Sequence, residues 1–197
     1  MRAKRRPELP VPSLPFTTAL ADGTTLLVRY LEPTDREELQ KGFLRLSTLS
    51  RWLRFASPIR RLSEGHLRYL TEVDQTDHVA VAVRDEGAPN KDGVAVARFV
   101  RLKQEPTAAE FAITVVDDYQ NRGIGTLLVR VMLAAAAGRG IRILRGFVLD
   151  SNQRMLHILE RFGARLSRRL DRTVVAELQV PGLGGDSASN SSPAGAY

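Results

Sequence analysis

The alternation of apolar and polar positions predicts a chain in which strands and helices follow one another. Residues 17–31 form two short strand-like runs around Asp22-Gly23, a dipeptide typical of hairpin turns. Further strands are predicted where apolar and β-branched residues are concentrated, at 79–83, 94–102, 109–116, 141–149 and 173–180.

Helical spacing of apolar residues appears in four other segments. The first opens at Pro33-Thr34-Asp35, and the second covers 63–73 behind a capping Ser63. The third covers 123–137, and the fourth follows the candidate cap Asp150-Ser151-Asn152. The resulting order, ββααβββαβαβ, is typical of an α/β (α+β) fold with a mixed sheet and helices on its faces.

We expect one folded domain at 16–181, between two extensions. Residues 1–15 are basic and then rich in proline, which is typical of a flexible arm. Residues 182–197 are rich in glycine, serine and alanine, which predicts a disordered tail. The first residues lack the apolar core of a signal peptide, and no later run is long enough to span a membrane. We therefore expect a cytoplasmic protein.

Composition narrows the range of functions. The chain has no cysteine, which excludes disulfides, thiolate metal sites and cysteine nucleophiles. Its net charge of +7 favours anionic partners such as nucleic acid, acidic proteins or a polyphosphate cofactor. Aromatic residues make up only 6%, and no basic stripe is interleaved with stacking residues, so a nucleic-acid binder is disfavoured.

The segment 119–128, YQNRGIGTLL, places two glycines where the third helix begins. A helix N-terminus offers unpaired N–H groups and a partial positive charge, so it favours a bound phosphate. The dinucleotide fingerprint is excluded because leucine replaces its third glycine, and a P-loop because Gly125-Thr126 has no lysine. A tight turn that needs glycine only for positive φ is the other interpretation of this motif.

The surroundings of this motif resemble a known family. Residues 120–125, QNRGIG, fit the pattern Gln/Arg-x-x-Gly-x-Gly/Ala of the GNAT superfamily of acetyltransferases. The later helix motif of that family is matched at 152–166, and the order of elements is similar over 25–180. The resemblance implies the GNAT fold, with a mostly antiparallel central sheet, and acetyl-coenzyme A as the co-substrate.

The same resemblance implies which residues hold acetyl-coenzyme A. The loop would bind the pyrophosphate, and the main chain at the end of strand 109–116 would pair with the pantetheine arm. The implied cofactor-binding residues are Val115, Val116, Gln120, Arg122, Gly123, Ile124, Gly125, Thr126 and Asn152. A simple helix cap is the other interpretation of Asn152, and a solvated loop arginine that of Arg122.

Acetyl transfer to an amine requires a deprotonated amine and stabilisation of the carbonyl oxygen as charge develops on it. Without cysteine, direct attack by the amine in a ternary complex is the simple route. Glu110, in the strand AEFAITVV, is the candidate base, because we expect the strand to be buried and burial would favour that role. Many GNAT enzymes carry a glutamate on this strand. An ion pair with a nearby arginine is the structural alternative.

The chain departs from the GNAT pattern at Leu159, where many members carry a tyrosine proposed to protonate the departing thiolate. Thiolates are good leaving groups near neutral pH, so departure without help is compatible with catalysis. His157 is expected on the surface. His66 and His78 belong to no ligand cluster, so no metal is predicted.

The segment 50–83 resembles bacterial protein lysine acetyltransferases of the Pat type, which carry a run similar to SxxxRFxSP. The matching residues are Ser50, Arg54, Phe55, Ser57, Pro58, Leu70, Thr71, Val73 and Asp74. The resemblance implies a protein lysine as acceptor, often on an AMP-forming acyl-coenzyme A synthetase, with this segment as a wall of the acceptor site. An ordinary helix pair with Trp52 and Phe55 in the core is the simpler interpretation.

Two other functions stay open. One is acetylation of a small amine such as a polyamine, an aminoglycoside or an amino acid. A cationic acceptor of this kind would favour an acidic pocket, for which the sequence offers Glu64, Glu72, Asp74 and Asp77. The other is a non-catalytic sensor that binds acyl-coenzyme A without consuming it.

Overall fold

The computed structural model describes residues 12–90 and 92–182. The predicted tail, apart from Gly182, and most of the predicted arm lie outside these residues. Within the arm, Leu14 is partly buried and packs against the main core. The first strand begins at Phe16.

All the predicted strands are present, together with one short strand that the sequence pattern did not indicate. The strands are β1 (Phe16–Ala19), β2 (Thr25–Tyr30), β3 (His78–Asp85), β4 (Gly93–Leu102), β5 (Glu105–Val115), β6 (Ile143–Leu149), β7 (Arg165–Arg168) and β8 (Thr173–Gln179). The additional strand is β7, whose four residues, RLSR, are mostly polar and exposed because it lies at the sheet edge.

The described residues form five α-helices. They are α1 (Arg36–Leu44), α2 (Thr48–Phe55), α3 (Glu64–Thr71), α4 (Ile124–Ala137) and α5 (Gln153–Arg161). The side chain of Ser63 accepts a hydrogen bond from the His66 N–H, as the predicted cap of α3. The sequence pattern did not separate α2 from α1; Ser47 caps α2 by accepting from the Ser50 N–H.

The strands form one sheet in the order β1-β2-β3-β4-β5-β6-β8-β7. Every neighbouring pair is antiparallel except β5 and β6, which are parallel. The predicted mixed, mostly antiparallel sheet is therefore confirmed. Helices α1 and α4 both pack on β4, and they cover opposite faces of the sheet. No helix of the described chain combines the length and apolar character needed to cross a membrane.

Strands β5 and β6 separate soon after they meet. Their pairing covers only Ala108–Glu110 on β5, although β5 continues to Val115 and β6 to Leu149. Phe111 marks the point of separation: its ring lies so close to Gly146 on β6 that a Cβ there would stand 2.8 Å from the ring. Beyond this contact a cleft lies between the two strands, and β5 leads through a 3-10 turn at Asp117–Tyr119 and a short loop into α4.

Candidate active site

The loop before α4 has the backbone that the glycine motif predicted. Gly123 takes a left-handed conformation with φ of 91°, and Asn121 has φ of 61°. A Cβ on Gly125 would lie 3.2 Å from the Cδ1 of Ile158 on α5, so this glycine lets the two helices approach. The two glycines therefore already serve the fold, one through φ and one through packing, besides any room they leave for a ligand.

The first N–H groups of α4 have no acceptor within the helix. These groups belong to Ile124, Gly125 and Thr126, because the first helical bond runs from the Leu127 N–H to the Gly123 carbonyl. Ile124 is only 1% exposed and fixes the helix start in the core. The arrangement suits an anion, since unpaired N–H groups and the positive end of the helix dipole coincide.

The side chain of Arg122 is held by the β1–β2 hairpin. Its guanidinium donates to the Asp22 carboxylate at 2.9 Å and to the Thr24 hydroxyl, and it lies over the Tyr119 ring. Hydrogen bonds from Thr24 and then Arg122 lower the pKa of Asp22 to about 2. The Arg122 side chain is thus neither solvated nor available to the loop, because the hairpin holds it. Only the main chain of Arg122 lies near the start of α4.

Gln120 joins three elements around the same loop. Its amide nitrogen donates to the Ser50 hydroxyl on α2 and to the Val115 carbonyl at the end of β5, both at 3.1 Å. Its amide oxygen accepts from Arg154 on α5, also at 3.1 Å. Gln120 therefore ties the loop to both sides of the cleft.

Asp117 connects the start of α2 to the segment that leads into the loop. Its carboxylate accepts from the Ser47 N–H at 2.9 Å, the Ser47 hydroxyl at 2.7 Å and the Ser50 hydroxyl at 2.9 Å. Burial acts to raise the pKa of Asp117, but these hydrogen bonds outweigh it and the pKa is lowered. Ser50, which belongs to the run that resembles Pat-type enzymes, thus contacts both Asp117 and Gln120.

The edge of β5 presents its main chain to the cleft. Antiparallel strands bond at every second residue, and the Val116 N–H donates to the Val94 carbonyl on β4 at 2.9 Å. Val115 and Ile113 therefore direct their main-chain groups away from β4, towards the gap left by β6. The Val116 N–H, named by the sequence analysis, is already bonded. Ile113 was missed, although two-residue alternation from Val115 would have identified it.

Asn152 caps α5, and its side-chain oxygen accepts from the Met155 N–H at 3.2 Å. The predicted capping function is confirmed. Leu159 is fully buried in the core, so this position supplies no proton to a leaving group. His157 is exposed, as predicted.

Glu110 lies where β5 and β6 stop pairing, and its side chain is exposed, so the expectation of a buried carboxylate was wrong. Ala112 and Thr114, which follow on the same face of β5, lie under the helices, whereas Glu110 lies beyond the part of the face that the helices cover. Strand register places Glu110 on the same face as Arg98 and Ala112. None of the ion pairs among the described residues includes Glu110. The charge of Glu110 acts on Arg54, whose pKa burial lowers and Glu110 partly restores.

A pocket of about 740 Å3, counting its open mouth, lies between helices α1–α3 and this face of the sheet. Ala112 and Thr114 of β5 form part of its floor. Most of its lining is apolar, and its basic side chains are Arg54 of α2 and Arg98 of β4. Two family-like positions therefore have structural roles, because Arg54 lines the pocket and Phe55 packs edge-on against Phe43. Trp52, considered as a core residue, is instead 46% exposed.

The four acidic residues considered as a pocket for a cationic acceptor do not form one. Glu64 pairs with Arg36, Glu72 with Arg68, and Asp77 with Arg101. The Asp74 carboxylate accepts from the N–H groups of Thr76, Asp77 and His78 in its own turn. Each of the four carboxylates is thus already engaged.

The histidines have structural surroundings. His66 completes the capping box of α3 with Ser63. His78 is half-buried next to Arg98, and burial followed by this positive neighbour lowers its pKa to about 4. Within the described residues no cluster of histidine, aspartate and glutamate is suited to a metal ion.

Comparison with known proteins places this geometry in a family. Residues 46–164 match the model of the acetyltransferase (GNAT) family. The acetyltransferase Pat of Mycolicibacterium smegmatis is 36% identical over 167 residues, which make up 85% of this chain and 49% of that protein. An acetyltransferase of Pseudomonas aeruginosa is 31% identical over 128 residues, covering 64% of this chain and 68% of that protein.

A solved structure agrees with these relatives. The GNAT domain of the S. lividans PAT matches 86% of this chain and 99% of its own length, with a TM-score of 0.77 and 28% identity. The chain thus spans about half of the Mycolicibacterium relative and nearly all of the isolated S. lividans domain. Sequence and fold agree that the chain belongs to the GNAT acetyltransferase family, whose members use acetyl-coenzyme A.

Proposed function

We propose that the chain transfers the acetyl group of acetyl-coenzyme A directly to a primary amine, the side chain of a lysine in a protein. The observation that carries the proposal is the combination of an anion-binding helix start with a strand cleft beside it. Unpaired N–H groups of Ile124, Gly125 and Thr126 would bind the pyrophosphate. The cleft-facing main chain of Ile113 and Val115 would pair with the pantetheine arm.

This path brings the thioester to the point where β5 and β6 separate, close to Glu110. The amine nitrogen attacks the thioester carbon, the C–N bond forms, the C–S bond breaks, and coenzyme A leaves as a thiolate. Glu110 takes the proton of the amine, directly or through water, which its exposed position allows. A cleft-facing N–H of β5 would stabilise the carbonyl oxygen as it gains charge.

A protein lysine as acceptor is supported by the surface around α2. Trp52 is 46% exposed and Leu49 is 64% exposed, on the helix whose Ser50 and Arg54 are shared with Pat-type enzymes. Exposed aromatic and aliphatic groups among arginines suit contact with a protein surface. We propose an AMP-forming acyl-coenzyme A synthetase as the acceptor protein. We also propose that the reaction takes place in the cytoplasm.

A small-molecule amine is the second candidate. Three of the four predicted acids are in ion pairs and the fourth accepts backbone hydrogen bonds, which argues against a polyamine. A net charge of +7 would also repel a polycation, whereas an acidic protein surface would be attracted. A sensor without catalysis would bind acetyl-coenzyme A but leave it intact in the presence of every amine.

The test is a thiol-release assay with acetyl-coenzyme A, using an acyl-coenzyme A synthetase, free lysine and spermidine as acceptors at low and high salt. We expect the synthetase to have the highest kcat/KM, and its association rate to fall as salt screens the attraction. A higher value for spermidine would favour the small-molecule function. Binding of acetyl-coenzyme A without thiol release would favour the sensor.

A further inference from the structure

Arg98 is a buried cation that has no carboxylate partner among residues 12–90 and 92–182. It lies in the middle of β4, it is 6% exposed, and it faces the pocket. Its guanidinium donates to the Leu70 carbonyl at 3.2 Å and lies 3.2 Å from the His78 ring nitrogen. A buried guanidinium is normally neutralised by a carboxylate, because removing a charge from water is costly. Here both contacts are with uncharged groups.

Arg54 brings a second positive charge to the same end of the pocket. It lines the pocket from α2, and its guanidinium lies 4.8 Å from the centre of the Phe55 ring. Within the described residues it has no hydrogen bond or ion pair. Burial and then the charge of Arg54 lower the pKa of Arg98 to about 10, which is consistent with two cations that repel each other in a poorly solvated space.

The carboxylates that line the pocket do not neutralise this pair. Asp35 receives two hydrogen bonds from Arg29, at 2.7 and 2.6 Å. Glu38 lies 3.4 Å from Arg84 and 3.9 Å from Arg29. The only carboxylate whose charge acts on Arg54 is that of Glu110, which forms no ion pair with it among the described residues. The pocket therefore has two cations directed at space that a ligand can enter.

The position of the pair relates it to the reacting groups. Arg98 is opposite Ala112 on β5, two residues beyond Glu110, which is about 7 Å along the strand. A thioester held at the strand cleft would therefore present its acyl chain towards Arg54 and Arg98. An acyl chain of four carbons that ends in a carboxylate has the length to reach them.

We propose that Arg54 and Arg98 form a site for a carboxylate carried by one of the two reactants. It would take either the far end of a dicarboxylic acyl group on coenzyme A or a carboxylate next to the amine of the acceptor. The inference rests on the proposed function, because it assumes that the thioester and the amine meet beside this pocket. The carboxylate itself does not react: the C–N bond forms and the C–S bond breaks as before.

The test compares pairs of substrates that differ in one carboxylate. Succinyl-coenzyme A and butyryl-coenzyme A have acyl chains of equal length, and lysine differs from cadaverine only by its carboxylate. We expect kcat/KM of the unaltered chain to favour one carboxylate-bearing member roughly ten- to hundredfold, as for a hydrogen bond to a charged group. The first pair identifies the donor as the source of the carboxylate, and the second pair identifies the acceptor.

Arg54→Gln should reduce the ratio of the two kcat/KM values towards one, and Arg54→Lys should retain part of the preference. Arg61→Gln is the matched control, because it removes the same charge from an exposed position in the following loop and should leave the ratio unchanged. The comparison in the unaltered chain decides the question even if a variant fails to fold.

If thiol is released from acetyl-coenzyme A but neither succinyl-coenzyme A nor lysine is preferred over its partner, the carboxylate site is overturned and the proposed function stays intact. Absence of thiol release from every thioester would instead overturn the proposed function. In that case calorimetry with succinyl- against butyryl-coenzyme A, and with lysine against cadaverine, still tests the site, and equal affinities within both pairs would overturn it.

Discussion

The side-chain amide of Gln120 donates a hydrogen bond of 3.1 Å to the hydroxyl of Ser50, which in turn donates to Asp117 at 2.9 Å. This contact joins the loop before α4 to helix α2, across 70 residues of sequence. The proposed cofactor loop and the proposed acceptor wall therefore belong to one hydrogen-bonded unit, and a substitution in either should affect the other.

Ser50→Ala should weaken acetyl-coenzyme A binding and acceptor binding together. The substitution removes one hydrogen-bond partner from Gln120 and one from Asp117. Loss of a partner costs about 1–3 kcal/mol for a buried group and less here, because solvent reaches the contact. Calorimetry for acetyl-coenzyme A and the KM for the acceptor measure the two effects. Thr48→Ala on an exposed position of the same helix is the control. If only one of the two binding constants changes, loop and wall are not coupled.

Gly125→Asp should abolish binding of acetyl-coenzyme A. The new side chain would bring a negative charge to the helix start, where the pyrophosphate is proposed to bind, and its Cβ would approach Ile158 at 3.2 Å. Gly138→Asp, at the other end of α4, adds the same charge in a position with room for a Cβ. Calorimetry should show loss of binding for the first variant and little change for the second. Unchanged affinity in a folded Gly125→Asp protein would exclude the loop as the pyrophosphate site.

Glu110→Gln should retain cofactor binding and reduce the rate of transfer. General-base assistance is worth roughly a hundredfold to ten-thousandfold, and the loss should shrink as pH rises and more of the amine is free. The measurement is kcat/KM from pH 6 to 10. The control is Glu105→Gln, because Glu105 is an exposed carboxylate on the same strand as Glu110 and pairs with Arg145 of β6. A Glu110→Gln variant as active as the unaltered chain at pH 7 would remove Glu110 from the mechanism.

Stability should fall as the pH is lowered from about 6.5 to about 4, because of His78. Burial and then Arg98 lower its pKa from 6.5 to about 4, so in this window the unfolded chain binds a proton that the folded chain does not. The effect is on the order of 1–2 kcal/mol, because solvent screens a half-buried group. His78→Gln should flatten the dependence of the free energy of unfolding on pH, measured by chemical denaturation. An equally steep dependence in that variant would assign it to other groups.

Much of the fold could be predicted because its signals are local. Asp22-Gly23 forms the predicted hairpin turn with Gly23 at φ of 85°, and Ser63 and Asn152 cap the helices that follow them. Gly123 at the start of α4 has the positive φ that its motif indicates. Each of these features depends on a few neighbouring residues, so it can be predicted from the sequence alone.

The sequence alone therefore determined most of the order of elements, without α2 and β7, as well as the loop at the start of α4 and membership of an acetyltransferase family. The tertiary structure decided what each side chain meets. Arg122 bonds Asp22 across 100 residues, and Glu110 is exposed although it lies in one of the central strands. The approach of Arg54 to Arg98 likewise depends on how α2 packs over β5, the neighbour of β4 in the sheet. Distant contacts of this kind leave no periodic or local signal, since they arise only when separate elements share one sheet face.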